Sequence, residues 1–374
     1  MKLLFSKQVF IILTLFFLDL SAQPKQLFTI YGRVISTETG DPLPYVNVFL
    51  DATTLGTSTN NNGEYEIGSI PTGSYRIIAS MVGFKQKDKN IKLTELVKTE
   101  IDFELDTIAY KLDEINVTSE RDLGWIDNAK LFQKHFLGSS NNSEECKITN
   151  KEILEFSKSA TNRLIAKALT PLEIVNEAMG YKIIFDLKEF VLSNNDEVNY
   201  QGNIRFVELP PPNLDQEKEW MERREVAYYG SFRHFLVSLC QNKLNENDFF
   251  AYKVNHPNWE DLRRRNFLNP NLFEAVERVT KNERILQFNN FVMVAYMEEW
   301  EEANFLTYRN YMGSSIYRVL EYQTSWINLP YGFATFDING NIVDDYKSIK
   351  VYGYWGWQKV ASLLPTNYVP ANSE

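Results

Sequence analysis

Residues 32–84 constrain the fold more than any other stretch, because short apolar/polar alternations there are cut at regular intervals by glycine, proline and asparagine. Phe28, Ile30, Gly32 and Val34 alternate with Thr29, Tyr31, Arg33 and Ile35, the period-two signature of a strand. Gly40-Asp41-Pro42 and Pro44 then mark a turn. Val46, Val48 and Leu50 share a face of the next strand, and Tyr65 and Ile67 of another. Asn62-Gly63 between strand-like runs predicts a hairpin, since Asn and Gly accept positive φ. Pro71-Thr72-Gly73 makes a further turn, followed by Tyr75, Ile77, Ala79 and Met81 on one strand face. Residues 99–105 alternate cleanly, with Ile101, Phe103 and Leu105 inward. About seven short strands with turns every 8–12 residues or so predict a β-sandwich over residues 24–107.

The turns and core positions together resemble the carboxypeptidase-regulatory-like domain found in proteins of Gram-negative bacteria. The matching features are Gly32-x-Val34, Pro42-Leu43-Pro44-Tyr45-Val46-Asn47-Val48, Gly56-Thr57, Asn62-Gly63-Glu64-Tyr65, Pro71-Thr72-Gly73-Ser74-Tyr75 and Val82-Gly83-Phe84. The resemblance implies a transthyretin-like, seven-stranded sandwich that is an accessory module without catalysis. In that family it precedes peptidase domains or TonB-dependent outer-membrane transporters.

Lys2 and Lys7 precede the apolar run VFIILTLFFL and the small residues Ser21 and Ala22, so residues 1–23 read as an export signal. No cysteine lies near the cleavage region, which argues against a lipoprotein signal. The expected location is therefore periplasmic or outer-membrane associated, with no transmembrane segment after cleavage. Residues 108–123 read as a linker or extra strand. Their Leu112-Asp113-Glu114-Ile115-Asn116-Val117-Thr118 run resembles the TonB-contacting segment of those transporters. The 255 residues from 120 to 374 are too few for a plug and a barrel of about 22 strands.

Residues 124–374 read as a second, mixed β-rich α+β domain, so the chain as a whole is mainly β. Helices are expected at 125–137, at 215–244 with a break at Gly230, and at 354–364. Strands are expected at 162–168, 172–175, 181–190, 200–209, 291–296 and 316–327, with a hairpin of 333–337 and 342–346 around Asn339-Gly340. Phe136-Leu137-Gly138, Cys146-Lys147-Ile148, Pro171-Leu172, Gly180-Tyr181-Lys182-Ile183, Tyr229-Gly230-Ser231, His234-Phe235-Leu236 and Leu364-Pro365 resemble the second domain of exported bacterial proteins that begin with the same sandwich. That resemblance implies no activity.

Composition narrows the function by exclusion. The net charge of −10 disfavours nucleic acid, whose phosphates need clustered cations. The one dense basic run, Arg263-Arg264-Arg265, is flanked by Glu260 and Asp261 and reads as a solvated or internally paired face. The three histidines, His135, His234 and His256, lack the His-x-x-Glu spacing of a zinc peptidase, so neither metal nor cofactor is expected. The Gly-x-Ser-x-Gly elbow of serine hydrolases is absent. Ser231, Arg233 and His234 form a candidate polar site, with Ser231 and His234 at helical spacing; helix capping or packing explains them equally well. Glu298-Glu299 and Glu301-Glu302 around Trp300 read as a solvated acidic face. Tyr352, Tyr354, Trp355 and Trp357 offer either a stacking platform for sugar or peptide, or core packing. Cys146 and Cys240 form one disulfide in an oxidising compartment or remain two buried thiols.

The combined expectation is an exported, non-enzymatic envelope protein that binds another envelope protein or a glycan through its second domain. The alternatives are an enzyme in residues 124–374 and an accessory of a TonB-dependent system.

Overall fold

A computed structural model describes residues 26–95, 97–108, 123–194, 197–257, 276–311 and 321–371. The expected export signal, the 111–119 run, Arg263–Arg265 and residues 316–320 lie outside the described residues. The chain is mainly β, with several antiparallel sheets and a minority of helix.

The N-terminal sandwich is built from β1 (Leu27–Ser36), β2 (Asn47–Leu50), β3 (Gly56–Ser58), β4 (Glu64–Pro71), β5 (Gly73–Ser80), β6 (Lys87–Leu93), β7 (Lys98–Glu100) and β8 (Phe103–Leu105). One sheet runs β4-β1-β7, with β8 also on β1; the other runs β3-β2-β5-β6. The inward positions Phe28, Ile30, Val34, Val48, Leu50 and Ile77 are fully buried between the sheets, which is what the period-two alternation requires.

Two details depart from expectation. Asn62-Gly63 makes no hairpin. Gly63 has φ +74°, but the turn carries the chain from β3 in one sheet to β4 in the other. Asn60 closes it instead, its Oδ1 accepting from the amides of Asn62 and Glu64, both at 2.9 Å. The last strand is split in two, because the Ile101 carbonyl leaves the β1 ladder and turns inward, where Tyr65 Oη donates to it at 2.5 Å.

The C-terminal body has two principal cores. The first covers a six-stranded antiparallel sheet of β9 (Cys146–Ile148), β10 (Leu154–Lys158), β11 (Leu164–Ala168), β12 (Leu172–Asn176), β13 (Tyr181–Leu192) and β14 (Val198–Glu208). Helix α1 (Leu123–Leu137) lays Phe132 and Phe136 on Phe185 and Phe190 of β13, with ring centroids 4.6–6.3 Å apart. Helix α2 (Leu214–Tyr228) follows, and Gly230, at φ +73°, separates it from α3 (Phe232–Cys240) as expected.

The second core lies under α3. It joins the sheet β15-β18-β19-β21, formed by β15 (Phe249–Val254), β18 (Phe291–Trp300), β19 (Tyr322–Asn328) and β21 (Lys350–Gly353), to a smaller sheet. That sheet consists of β16 (Val276–Arg278), β17 (Glu283–Gln287) and β20 (Phe333–Asp337). The expected hairpin around Asn339-Gly340 shrinks to the single bridge Phe336–Ile342, since β20 takes β17 as its ladder partner. Helix α4 (Ala303–Tyr311) was not anticipated, and the helix expected over 354–364 is only α5 (Tyr354–Trp357) and a short 3-10 turn, Val360–Ser362. The aromatics of α5 point into two cores, Trp355 into one and Tyr354 and Trp357 into another, so no single helical face forms. Among the described residues no helix is long and apolar enough to cross a membrane, a statement that leaves β-barrels aside.

Candidate functional site: an acidic cleft between the two cores

Strand β18 is irregular where it matters. Tyr296 lies opposite Gln323 and Trp300 opposite Tyr322, so residues 297–299 are extra on the β18 side. Such a bulge re-aims side chains. Here it turns Glu298 and Glu299 into a cleft of about 890 Å³. The opposite wall comes from α2, through Glu219, Glu222 and Arg223, and from the turn before β9, through Glu144 and Glu145. Trp220 anchors that wall: its Nε1 donates to the Glu177 carbonyl at 2.7 Å, and its ring fills the space that a side chain at Gly180 would need.

Among the described residues the lining carries seven glutamates and one arginine. Arg223 is already engaged, with Nη1 2.6 Å from Glu145 and Nη2 2.6 Å from Glu219. Glu222 meets Lys218 at 3.7 Å. Among the described residues, Glu144, Glu298, Glu299 and Glu302 make no ion pair. Glu302 is tied down by neutral donors instead, the Asn141 amide at 2.6 Å and Tyr354 Oη at 3.2 Å. Burial is the main cause that raises its pKa, against those two hydrogen bonds. Burial pushes the Glu299 carboxyl up to about 7; Gln323 Nε2, donating at 2.9 Å, works against this, and the charges of Glu302 and Glu298 add to it. Trp300 is 56% exposed at the cleft and stacks on Tyr322, with centroids 4.7 Å apart and planes at 24°. The reading of 298–302 as a solvated face is therefore corrected: Glu301 is 2% exposed, and Glu299 and Glu302 are half-buried.

The other sequence candidates are placed elsewhere. Tyr354, Trp355 and Trp357 are buried and Tyr352 is half-buried against Phe291, so their ring faces pack and form no open platform. Trp355 Nε1 donates to the Gly230 carbonyl at 2.7 Å, closing the α2–α3 break. Trp355→Ala is expected to cost about 3–5 kcal/mol in urea unfolding; a loss below about 1 kcal/mol would show that the ring is not a core element. Tyr354 lines the cleft, where its Oη donates to Glu302 at 3.2 Å.

Ser231 and His234 form no nucleophile–base pair. Ser231 Oγ caps α3 by accepting from the His234 backbone amide at 3.1 Å, while His234 Nδ1 accepts from the Gly230 amide at 3.2 Å. Burial lowers the His234 pKa to about 4, so the ring is neutral at pH 7. Arg233 points away and clasps three backbone carbonyls, those of Asn339, Pro365 and Tyr368, at 2.7–3.1 Å. His135 lies on α1 and His256 after β15; among the described residues no group of three or more His, Cys, Asp or Glu could hold a metal ion.

The disulfide is not formed. Cys146 is buried in the first core and Cys240 sits beside the second, at the end of α3. Burial pushes the Cys146 thiol up to about 12, an unreactive environment. Titration of the unreduced, denatured chain is expected to find both thiols; finding none would restore the disulfide.

The sandwich carries a carboxypeptidase-regulatory-like domain. The family model for the CarboxypepD_reg-like domain matches residues 30–117, and this module is non-catalytic. No curated protein matches the chain. Among solved structures, the major pilin subunit BcpA of Bacillus cereus is similar at 12% identity and a TM-score of 0.20, covering 22% of this chain and 31% of that one. A cohesin–X-dockerin complex from Acetivibrio cellulolyticus is similar at 23% identity and a TM-score of 0.18, covering 20% and 52%. The 5-hydroxyisourate hydrolase of Klebsiella pneumoniae is similar at 19% identity and a TM-score of 0.19, covering 22% and 91%. The chain thus spans about a third of the pilin and half of the cohesin–dockerin chain.

Proposed function

We propose that this chain is an exported cell-envelope binding protein whose C-terminal cleft takes a cationic ligand, the lysine- or arginine-bearing segment of another envelope protein. One observation carries the reading: a cleft lined by seven glutamates against one already paired arginine, with an exposed tryptophan at its wall. Carboxylates crowded in a partly desolvated space repel one another, and a cation relieves that repulsion. An indole face adds cation–π attraction worth about 0.5–2 kcal/mol. The basic and apolar runs of residues 1–23 support export, and the sandwich supports a binding rather than a catalytic role for the N-terminal part. An oligolysine peptide is the probe. It is expected to bind with a salt-dependent affinity and to change tryptophan fluorescence, and an oligoglutamate peptide is expected not to bind. Equal binding of the two, or of neither, would end this reading.

Affinity is expected to depend on pH. Below about pH 6 the half-buried Glu299 carboxyl is largely protonated, and binding a cation there must expel that proton. Affinity for oligolysine therefore rises from about pH 6 to 8, and Glu299→Gln removes most of the rise. Stability moves the other way. A carboxyl raised on folding stabilises fully below its unfolded pKa, and that stability is lost as pH rises through about 7.

The second reading, an enzyme, is favoured by the same carboxyl: a group titrating near neutrality in a cleft suits general acid–base work. A turnover found on any envelope substrate and lost in Glu299→Gln would establish it.

A further inference from the structure

Lysine and arginine carry the same charge and differ in shape. An ammonium is a compact, strongly hydrated point charge. A guanidinium is a flat fork of donors that stacks on aromatic faces and sheds water more easily. Helix α2 displays the difference beside the cleft. Half-buried Arg223 spans two carboxylates at once, Nη1 lying 2.6 Å from Glu145 and Nη2 2.6 Å from Glu219. Lys218, on the same helix, meets Glu222 at 3.7 Å. Arg224 shows a second habit of the guanidinium. Its Cζ lies 4.0 Å from the centre of the Tyr181 ring, while its Nε donates to the Met179 carbonyl at 2.8 Å. Stacking and donating proceed together because one uses the face of the group and the other its edge.

The β18 wall supplies both kinds of surface to a ligand. Trp300 rests one face on Tyr322 and is 56% exposed, which leaves its other face to solvent. The Tyr322 ring holds the indole in place, so little rotamer freedom is lost when a ligand lands on it. The bulge puts Glu298 and Glu299 into the lining immediately before Trp300. Glu298 is exposed and Glu299 half-buried, and Glu299 spends its Oε2 on Gln323 Nε2 at 2.9 Å. The α2 wall adds Val226, 62% exposed, an apolar surface for the aliphatic stem of a long side chain. An ammonium gives up more hydration than a guanidinium on entering such a partly desolvated, partly apolar space.

Taking the cleft as the cation site proposed above, on which this step rests, we propose that the side chain it selects is arginine. The guanidinium lies on the free face of Trp300 and directs its edge donors to Glu298 and Glu299, while Val226 covers the stem. Trp300 is the specificity-determining residue. A lysine in the same place satisfies the charge but neither stacks flat nor bridges two carboxylates. The partner segment therefore presents an exposed arginine to the cleft.

Titration of the full chain with oligoarginine and oligolysine peptides of equal length tests this, at about pH 8, where Glu299 is largely ionised. Oligoarginine is expected to bind about tenfold tighter. In Trp300→Leu that preference is expected to shrink to about twofold or less, chiefly through weaker oligoarginine binding, and in Trp300→Phe to fall between. Oligoarginine with each guanidinium dimethylated keeps its charge but loses the fork of donors, and is expected to bind no tighter than oligolysine. Should Trp300→Leu fail to fold, Trp300→Phe and the dimethylated peptide decide. Equal binding of oligoarginine and oligolysine to the parent would overturn the arginine assignment and leave the cation site standing, whereas binding of neither would end both. A preference of parental size in folded Trp300→Leu would overturn the stacking, and undiminished binding of the dimethylated peptide would overturn the fork.

Discussion

Gly32→Ala is expected to destabilise the sandwich by about 3 kcal/mol or more. The glycine needs no unusual φ; it is required by proximity. A Cβ at this position would lie 2.0 Å from the Ile101 carbonyl oxygen, and that contact is backbone, so no rotamer change relieves it. Moving Ile101 away has a second cost. Its oxygen is the acceptor for the buried Tyr65 hydroxyl, and a stranded phenol would lose its partner in the middle of the core. The parallel pairing of β1 with β7 and β8 brackets this point and has nowhere to shift. All the tryptophans lie at or beyond residue 125, so their fluorescence reports on the body alone. Urea unfolding followed by far-UV circular dichroism and by β1 amide exchange should show the loss, with the tryptophan transition less affected. A Gly32→Ala chain with the parent's midpoint by both probes would refute the close-approach argument.

Glu299→Lys is expected to abolish oligolysine binding, lowering affinity by tenfold at the least, and Trp300→Ala to weaken it by a smaller factor. Above about pH 8, where Glu299 is ionised, reversing its charge changes the local field by two units, and an effective dielectric near 20 gives about 4 kcal/mol per pair at 4 Å. Glu299→Gln keeps the side-chain shape and the Gln323 contact, so it separates lost charge from lost fold. Calorimetric titration at low and moderate salt reads the result. Parent-like affinity in a folded Glu299→Lys chain would place the ligand site elsewhere.

Much of the sandwich was legible because its cues are local. Alternation marks the inward face, and Gly40, Gly63 and Pro71 mark where the strands end. Strand pairing was less legible. Asn62-Gly63 has the composition of a hairpin, yet the strands it joins belong to different sheets, since burial of their apolar faces outweighs the short-range preference. In the body, Gly230 announced the break between α2 and α3, while β17, the strand that takes the place of the 342–346 arm beside β20, left no mark in alternation.

The candidate site shows the same division more sharply. The run Glu298-Glu299-Trp300-Glu301-Glu302 was visible as composition. Its meaning depended on a three-residue bulge in β18 and on a wall that arrives from residues 141–145 and 219–227, and spacing in one strand encodes neither. Conversely, the Tyr352–Trp357 aromatics suited a platform or a core equally by composition and are mostly core, because stacking faces and packing faces are chemically the same. That residues 27–105 form a sandwich could be read from the residues alone, since alternation and turn chemistry act over a few residues. That Glu299 is a half-buried acid at a cleft and Arg233 a clasp on residues 365 and 368 follows from long-range packing, since desolvation and hydrogen-bond partners are set by residues far away along the chain.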